Sequence, residues 1–272
     1  MRGAAATLAL VVLAALFLAP VGIMVAGSLK PDERVLVEAS DARAFWPREA
    51  SLQNYRDVFA RVPFGRFLIN SLVINVAIVG LGLVVNSLAG YALARLRWRG
   101  RTVVLALVAA LMIIPLEAIA VPLFYLVTRA GWRDTYVAQI VPFLANAFSI
   151  HLFYVFFRGM PRELEESARV DGAGSLTVFV RIVAPNAKPV FASVAILTFL
   201  TQWGAFLWPL MVTSGERVRP LPLAIASFHT LPPLQWGDIF AFVVMMVAPI
   251  LLVFLLFQRW FVRGLTWSGI KG

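Results

Sequence analysis

Cysteine is absent from the 272 residues, which excludes a disulfide framework, cysteine-ligated metals and thiol chemistry. Lysine stands only at 30, 188 and 271, never after a glycine. A Gly-Lys-Ser/Thr phosphate loop is therefore excluded, and with it a P-loop ATPase in this chain. The only histidines, His151 and His229, form no HExxH pair, and no serine has glycines two residues before and after it. A zincin helix and a nucleophile elbow are thus both missing. Charge is scarce as well: 14% of residues are charged and 61% hydrophobic, against about 25% and 45–50% in soluble domains. With a mean hydropathy of +0.85, a water-soluble globule is excluded.

What is present is a series of long runs without charge. A hydrocarbon core of ~30 Å needs about 20 helical residues, and residues 3–29, 67–94, 135–157, 189–215 and 239–258 each satisfy that. A sixth run, 102–128, is interrupted only by Glu117. The prolines inside it, Pro115 and Pro122, are tolerated in membranes because neighbouring groups re-satisfy the freed carbonyls. The stretch 220–237 is charge-free but holds four prolines and reads as a loop. Residues 3–29 exceed the ~7–15 apolar residues of a signal core and read as a retained first span. The fold class is an all-α polytopic membrane protein. Its parts are a first span and outer loop (1–66), a core (67–262) carrying an inner loop at 158–188, and a tail (263–272).

Six spans place both ends on one side. Arg95, Arg97, Arg99 and Arg101 crowd two membrane ends, whereas residues 30–66 interleave seven basic with six acidic residues. Dense basic clusters beside spans mark the cytoplasm, so both termini are read as cytoplasmic. On that assignment the inner segments carry 13 basic and four acidic residues, a net +9 of the total +10. The basicity marks topology, and no nucleic-acid partner is expected.

The segment 158–188 is the one long, organised, charged inner loop. Pro161 suits a helix start, and Glu163, Glu165 and Glu166 complement the dipole of a helix over about 161–170. Asp171-Gly172 breaks it, with Gly172 suited to a left-handed cap. Ser175 then caps a second helix whose Leu176, Phe179, Val180 and Val183 share one face. Such a rigid helix-turn-helix protrusion suits docking on a soluble partner.

The run Pro161-x-Glu163-Leu-Glu-Glu166-Ser167-Ala168-Arg-Val-Asp171-Gly172-Ala173, followed by Phe179-x-x-Ile182-x-x-Pro185, resembles the "EAA" loop of permease subunits from binding-protein-dependent ABC importers. Other matches extend along nearly the whole chain: Asn70-Ser71, Tyr91-Ala-x-Ala-Arg95, Pro115-x-Glu117, Gln202-Trp203, Trp208-Pro209 and Gln258-Arg-x-Phe-Val-x-Gly264. They are most similar to the carbohydrate-uptake branch and its six-span maltose permease subunit. The resemblance implies a type I ABC importer permease fold in which 158–188 is a coupling loop seated on an ATPase. Glu163, Glu166, Ser167, Ala168, Asp171, Gly172 and Ala173 would be its docking residues. It further implies a second permease subunit, two ATPase subunits, an extracytoplasmic solute-binding protein and a bacterial or archaeal inner membrane with its lipid. No cofactor is expected on this chain, since ATP and Mg belong to the ATPases. Ser167 stands where the family usually has alanine, and Gly204 where it commonly has asparagine.

Polar groups within the spans are the candidates for a solute path: Asn75, Glu117, Asn146, Gln202 and Trp203. Most Asn, Ser and Thr in spans simply bond between helices, at about 0.6 kcal/mol each. Glu117 is more demanding, because a charge in the core costs about 2.5–3.5 kcal/mol. On a straight helix it sits in the outer half of the membrane, and Trp208 reads as an outer-interface anchor. The expected activity is uptake of a sugar or oligosaccharide by alternating access, with the chain itself not an enzyme. Glycerol-3-phosphate or a glycerophosphodiester is the alternative cargo, and an ion-driven secondary carrier the alternative class.

Overall fold

The computed structural model describes residues 2–269 apart from Asp171, with side chains from residue 6 to 257 except at 164 and 171. Among the described residues every regular element is helical. A 27-residue α1 (Arg2–Ser28) leads into α2 (Asp32–Val37), α3 (Gln53–Arg61) and the 32-residue α4 (Phe64–Arg95). Then come α5 (Arg101–Leu111), α6 (Leu116–Arg129), α7 (Tyr136–Ile140) and α8 (Ala147–Gly159). Residues 158–188 supply α9 (Glu163–Val170), α10 (Ser175–Val178), a π-helical turn Phe179–Val183 and α11 (Ala184–Asn186). It is followed by α12 (Lys188–Trp203), α13 (Leu207–Val212), α14 (Leu221–Phe228) and α15 (Trp236–Gly269).

Four stretches are long and apolar enough to cross a membrane: Ala6–Ser28, Phe64–Arg95, Tyr136–Gly159 and Trp236–Phe257. They coincide with four of the six expected spans. The third expected span is not straight: α5 and α6 meet at 109°. Proline lacks the N–H that would continue the ladder and pushes its predecessor out of helical geometry. Pro115 itself is extended, at φ −71° and ψ 152°. The straight-helix geometry on which the depth of Glu117 rests therefore does not apply. In the fifth expected span the helix stops at Trp203, and α13 resumes after Gly204, Ala205 and Phe206. Residues 263–269, taken as tail, continue α15, and residues 270–272 lie outside the described residues.

The described chain forms two compact units, one of residues 1–70 and 219–251, the other of 71–218 and 252–272. In the first, Phe242 meets Phe64 and Phe228 with ring centroids 4.9 and 5.3 Å apart. Around this aromatic core lies a polar clasp. Arg61 pairs with Asp238 at 2.7 Å and donates to the carbonyls of Leu231 and Pro233. Asn54 donates to the carbonyls of Ser28 and Lys30, both at 2.8 Å. Lys30 is buried and pairs with Glu38 at 2.9 Å. The Lys30 ammonium holds the Glu38 carboxyl below the usual carboxylate range, chiefly through that hydrogen bond.

In the second unit α8 packs between α5 and α12. Tyr91, Phe157 and Phe179 form a ring triad, with centroids 5.1 to 6.1 Å apart. Gly90 permits the approach of α4 to α8, because a Cβ there would meet Phe153 Cβ and lie 3.0 and 3.1 Å from Tyr154 N and Ile150 O. Asn86 donates to the carbonyls of Gly82 and Leu144 and accepts from Asn146 N, tying the start of α8 to α4. Trp208 is 2% exposed and its indole N–H donates to Ala138 O at 2.9 Å. It is a core residue here, where the sequence suggested an interface anchor, because the break after Trp203 turns α13 onto α6 and α7.

Candidate functional site

Three acids in the first turn of α9, Glu163, Glu165 and Glu166, complement its N-terminal partial charge. The helix ends in a Schellman motif: Ala173 N donates to Ala168 O at 2.9 Å, and Gly172 N to Arg169 O at 3.1 Å. That geometry needs a left-handed residue, which Gly172 provides at φ +81°. Asp171, expected among the docking residues, lies outside the described residues. Glu163, Glu166, Ser167 and Gly172 are exposed, whereas Ala168 and Ala173 are half-buried against the aromatic core. The sequence set thus separates into an outward face and an inward face of one cap.

The second helix departs from its expected face. Val178, Phe179 and Val183 are buried, while Leu176 and Val180 are 66% and 56% exposed. A π turn adds a residue to its turn, and Phe179–Val183 is π-helical, so the i, i+4 face assumed for an α-helix is rotated. Ser175 is the first residue of α10 and not its cap, which is Gly174 with no side-chain bond.

Glu165, which sequence reasoning did not single out, is 6% exposed. Arg95 Nε lies 2.9 Å from its Oε1, with side-chain exposures of 5% and 7%. The Tyr91 hydroxyl donates to Oε2 at 3.1 Å, and Arg169 Nη2 is 3.8 Å from the same oxygen. Arg95 also donates through Nη2 to the carbonyl of Met160, just beyond α8. A buried carboxylate is tolerated only when paired and hydrogen-bonded, and removing one partner of such a pair costs about 3–5 kcal/mol. The methyl of half-buried Ala168 contributes less than ~1 kcal/mol, and Val170 is 88% exposed. Glu165 is therefore the most deeply buried attachment of α9 among its described side chains. Tyr91 and Arg95 share a helix face by their i, i+4 spacing, a signal that could have pointed to an acidic partner.

Beside this pair opens a cavity of about 700 Å³ lined by Arg95, Arg97, Trp98, Arg162, Glu166 and Arg169 among others. Its basic excess and the exposed Glu166 give the surface around α9 both signs of charge.

The five path candidates are spread over four places. Asn75 is buried on α4 and donates to Ser71 O at 2.9 Å, while its Oδ1 has no hydrogen-bond donor among the described residues. Glu117 is exposed in the first turn of α6, directly after the bend. Asn146 caps α8, accepting from Ser149 N at 2.9 Å. Gln202 is half-buried near the end of α12, where Trp203 is 1% exposed and stacks on Phe199 at 5.2 Å.

Broken apolar spans with a capped helix-turn-helix anchored to them make up an all-helical multi-pass chain. Residues 68–267 match the family of binding-protein-dependent transport system inner membrane components, and the chain belongs to that family. The arabinooligosaccharides transport system permease protein AraQ of Bacillus subtilis (strain 168) is 34% identical over 274 residues, spanning 98% of this chain and 95% of its own. The sn-glycerol-3-phosphate transport system permease protein UgpE of Yersinia pestis bv. Antiqua (strain Antiqua) is 34% identical over 205 residues, 75% of this chain and 73% of its own. In fold, the chain matches one from the crystal structure of a bacterial ABC transporter involved in the import of the acidic polysaccharide alginate. The TM-score is 0.86 at 23% identity, with 96% of each chain covered. The protein is thus a multi-pass membrane subunit of an ABC importer, in a family whose permease subunits are not themselves enzymes.

Proposed function

We propose that this subunit imports a sugar or oligosaccharide handed over by an extracytoplasmic binding protein, by alternating access. ATP and Mg bind two partner ATPases, on which α9 and its Gly172 cap dock through Glu163, Glu166, Ser167, Ala168, Asp171, Gly172 and Ala173. A companion permease subunit completes the path, and both termini of this chain lie in the cytoplasm. The observation that carries the cargo class is the charge of the path candidates. Asn75, Asn146 and Gln202 are neutral, and the single charged candidate, Glu117, is an exposed anion that favours a neutral polyol over a phosphate. The arabinooligosaccharide permease, matched over 98% of this chain, supports the same reading.

Glycerol-3-phosphate is the second reading, favoured by the 34% identity to the permease named for it. Isothermal titration of the partner binding protein with arabinotriose and with sn-glycerol-3-phosphate separates the two. Saccharide binding is the expected result, and binding of the phosphate alone overturns it.

A further inference from the structure

Glu165 joins α9 to α4 through one carboxylate that meets two residues of α4. On α4, Tyr91 and Arg95 stand one turn apart and reach different oxygens of its carboxylate. On α9, Arg169 stands one turn beyond Glu165 and approaches the same oxygen as Tyr91. Two residues one turn apart on α4 thus converge on a single carboxylate of α9, which Arg169 steadies from within its own helix, and this fixes where α9 meets α4. Arg95 additionally holds the carbonyl of Met160, so one guanidinium ties α4, the end of α8 and α9 together.

The neighbouring acid has the opposite environment. Glu166 is exposed while Glu165 is buried. Consecutive helical residues point about 100° apart, so one acid is presented outward when the other is turned into the protein. The described inward apolar contact of α9, Ala168, is a single methyl, too small to transmit a push or a twist without slipping.

We propose that Glu165 is the positioning residue that converts displacement of α9 into movement of α4, with Tyr91 and Arg95 as its receivers. This rests on the reading of α9 as the ATPase-docking helix. A motion imposed on the exposed face is carried through the Glu165 carboxylate to the cytoplasmic end of a membrane-spanning helix. Without the clamp α9 still docks, but its motion is dissipated in the loop.

The test uses the full importer, with companion permease, ATPases and binding protein, reconstituted in vesicles. ATP hydrolysis and uptake of radiolabelled arabinotriose, or of sn-glycerol-3-phosphate if the binding protein retains that, are measured in the same preparation. Glu165→Gln is expected to raise the ATP consumed per solute imported about tenfold, the effect of ~1.4 kcal/mol. Tyr91→Phe should raise the ratio by a smaller factor. The reciprocal exchange Glu165→Arg with Arg95→Glu should bring the ratio back towards wild type. A purely structural role predicts that hydrolysis and uptake fall together with the amount of assembled complex, at an unchanged ratio. That result overturns the proposal, as does a reciprocal exchange that fails to assemble or assembles without restoring the ratio. If Gly172→Arg uncouples and Glu165→Gln does not, only the clamp fails; if neither does, the docking reading of α9 fails as well.

Discussion

Arg61 Nη1 lies 2.7 Å from Asp238 Oδ2, with the Asp238 side chain 2% exposed. The same guanidinium caps the carbonyls of Leu231 and Pro233 and stands over the Phe228 ring at 4.9 Å. Removing it strands a buried carboxylate, and Arg61→Ala is expected to destabilise the protein by about 3–5 kcal/mol. Thermal unfolding in detergent measures this. Arg61→Lys should recover part of the loss, since a lysine keeps the charge but not the forked donors.

Gly90 is predicted to tolerate no larger residue. Its Cβ position is closed partly by the backbone of α8, at Tyr154 N and Ile150 O, which cannot rotate aside as a side chain can. Overpacking costs typically 1–3 kcal/mol, and Gly90→Val should reach at least the upper part of that range. The melting temperature and the yield of folded protein report it, and an unchanged melting temperature would contradict the close helix approach.

Gly172 occupies a left-handed position with open space around it. Gly172→Ala therefore carries only a backbone penalty, about 1–2 kcal/mol for a residue with a Cβ. Gly172→Arg adds bulk and charge at the proposed docking surface. It is expected to uncouple ATP hydrolysis from uptake with the membrane helices still folded. Normal uptake by this variant would remove Gly172 from the docking surface.

Lys30 and Glu38 predict an acid response of the segment after α1. The carboxyl of Glu38 is lowered in the folded protein, so its stabilising contribution is complete above the unfolded-state value. It is lost as the pH falls through the lower folded-state value. Hydrogen exchange of residues 30–45 should quicken only under those acidic conditions. Glu38→Gln should make the exchange less dependent on pH.

Glu117 is expected to shape the path, and Glu117→Ala should reduce uptake several-fold with ATPase assembly retained. Uptake equal to wild type would exclude it from the path.

Composition and charge-free runs were sufficient to read four membrane-crossing stretches, because length and apolarity alone decide them. The left-handed Gly172 was legible for a similar reason, since a glycine after a capped helix has few other uses. The bend at Pro115 was not, although the proline was visible. Proline inside a membrane run is compatible with a mild kink or a full break, and the surrounding packing decides between them. The anchoring role of Glu165 was not legible because burial is a tertiary property: as a first-turn acid it looks like Glu166 beside it. Its partners lie on α4, remote in sequence, and only the folded chain brings Tyr91 and Arg95 to it.

The 109° bend between α5 and α6 also constrains what can surround it. With 11 and 14 residues, the two halves measure about 16 and 21 Å, each short of the ~30 Å hydrocarbon layer. Helix ends leave carbonyl and amide groups without intrahelical partners, and acyl chains offer none. The intervening Met112, Ile113 and Ile114 are nevertheless open on this chain, Ile113 at 83% exposure. The amides of Met112 and Ile113 bond back to Val108 O and Ala110 O, so the need falls on the carbonyls at the end of α5. Such an elbow is solvated by water or by another polypeptide, and hydrocarbon tails are the one neighbour it excludes.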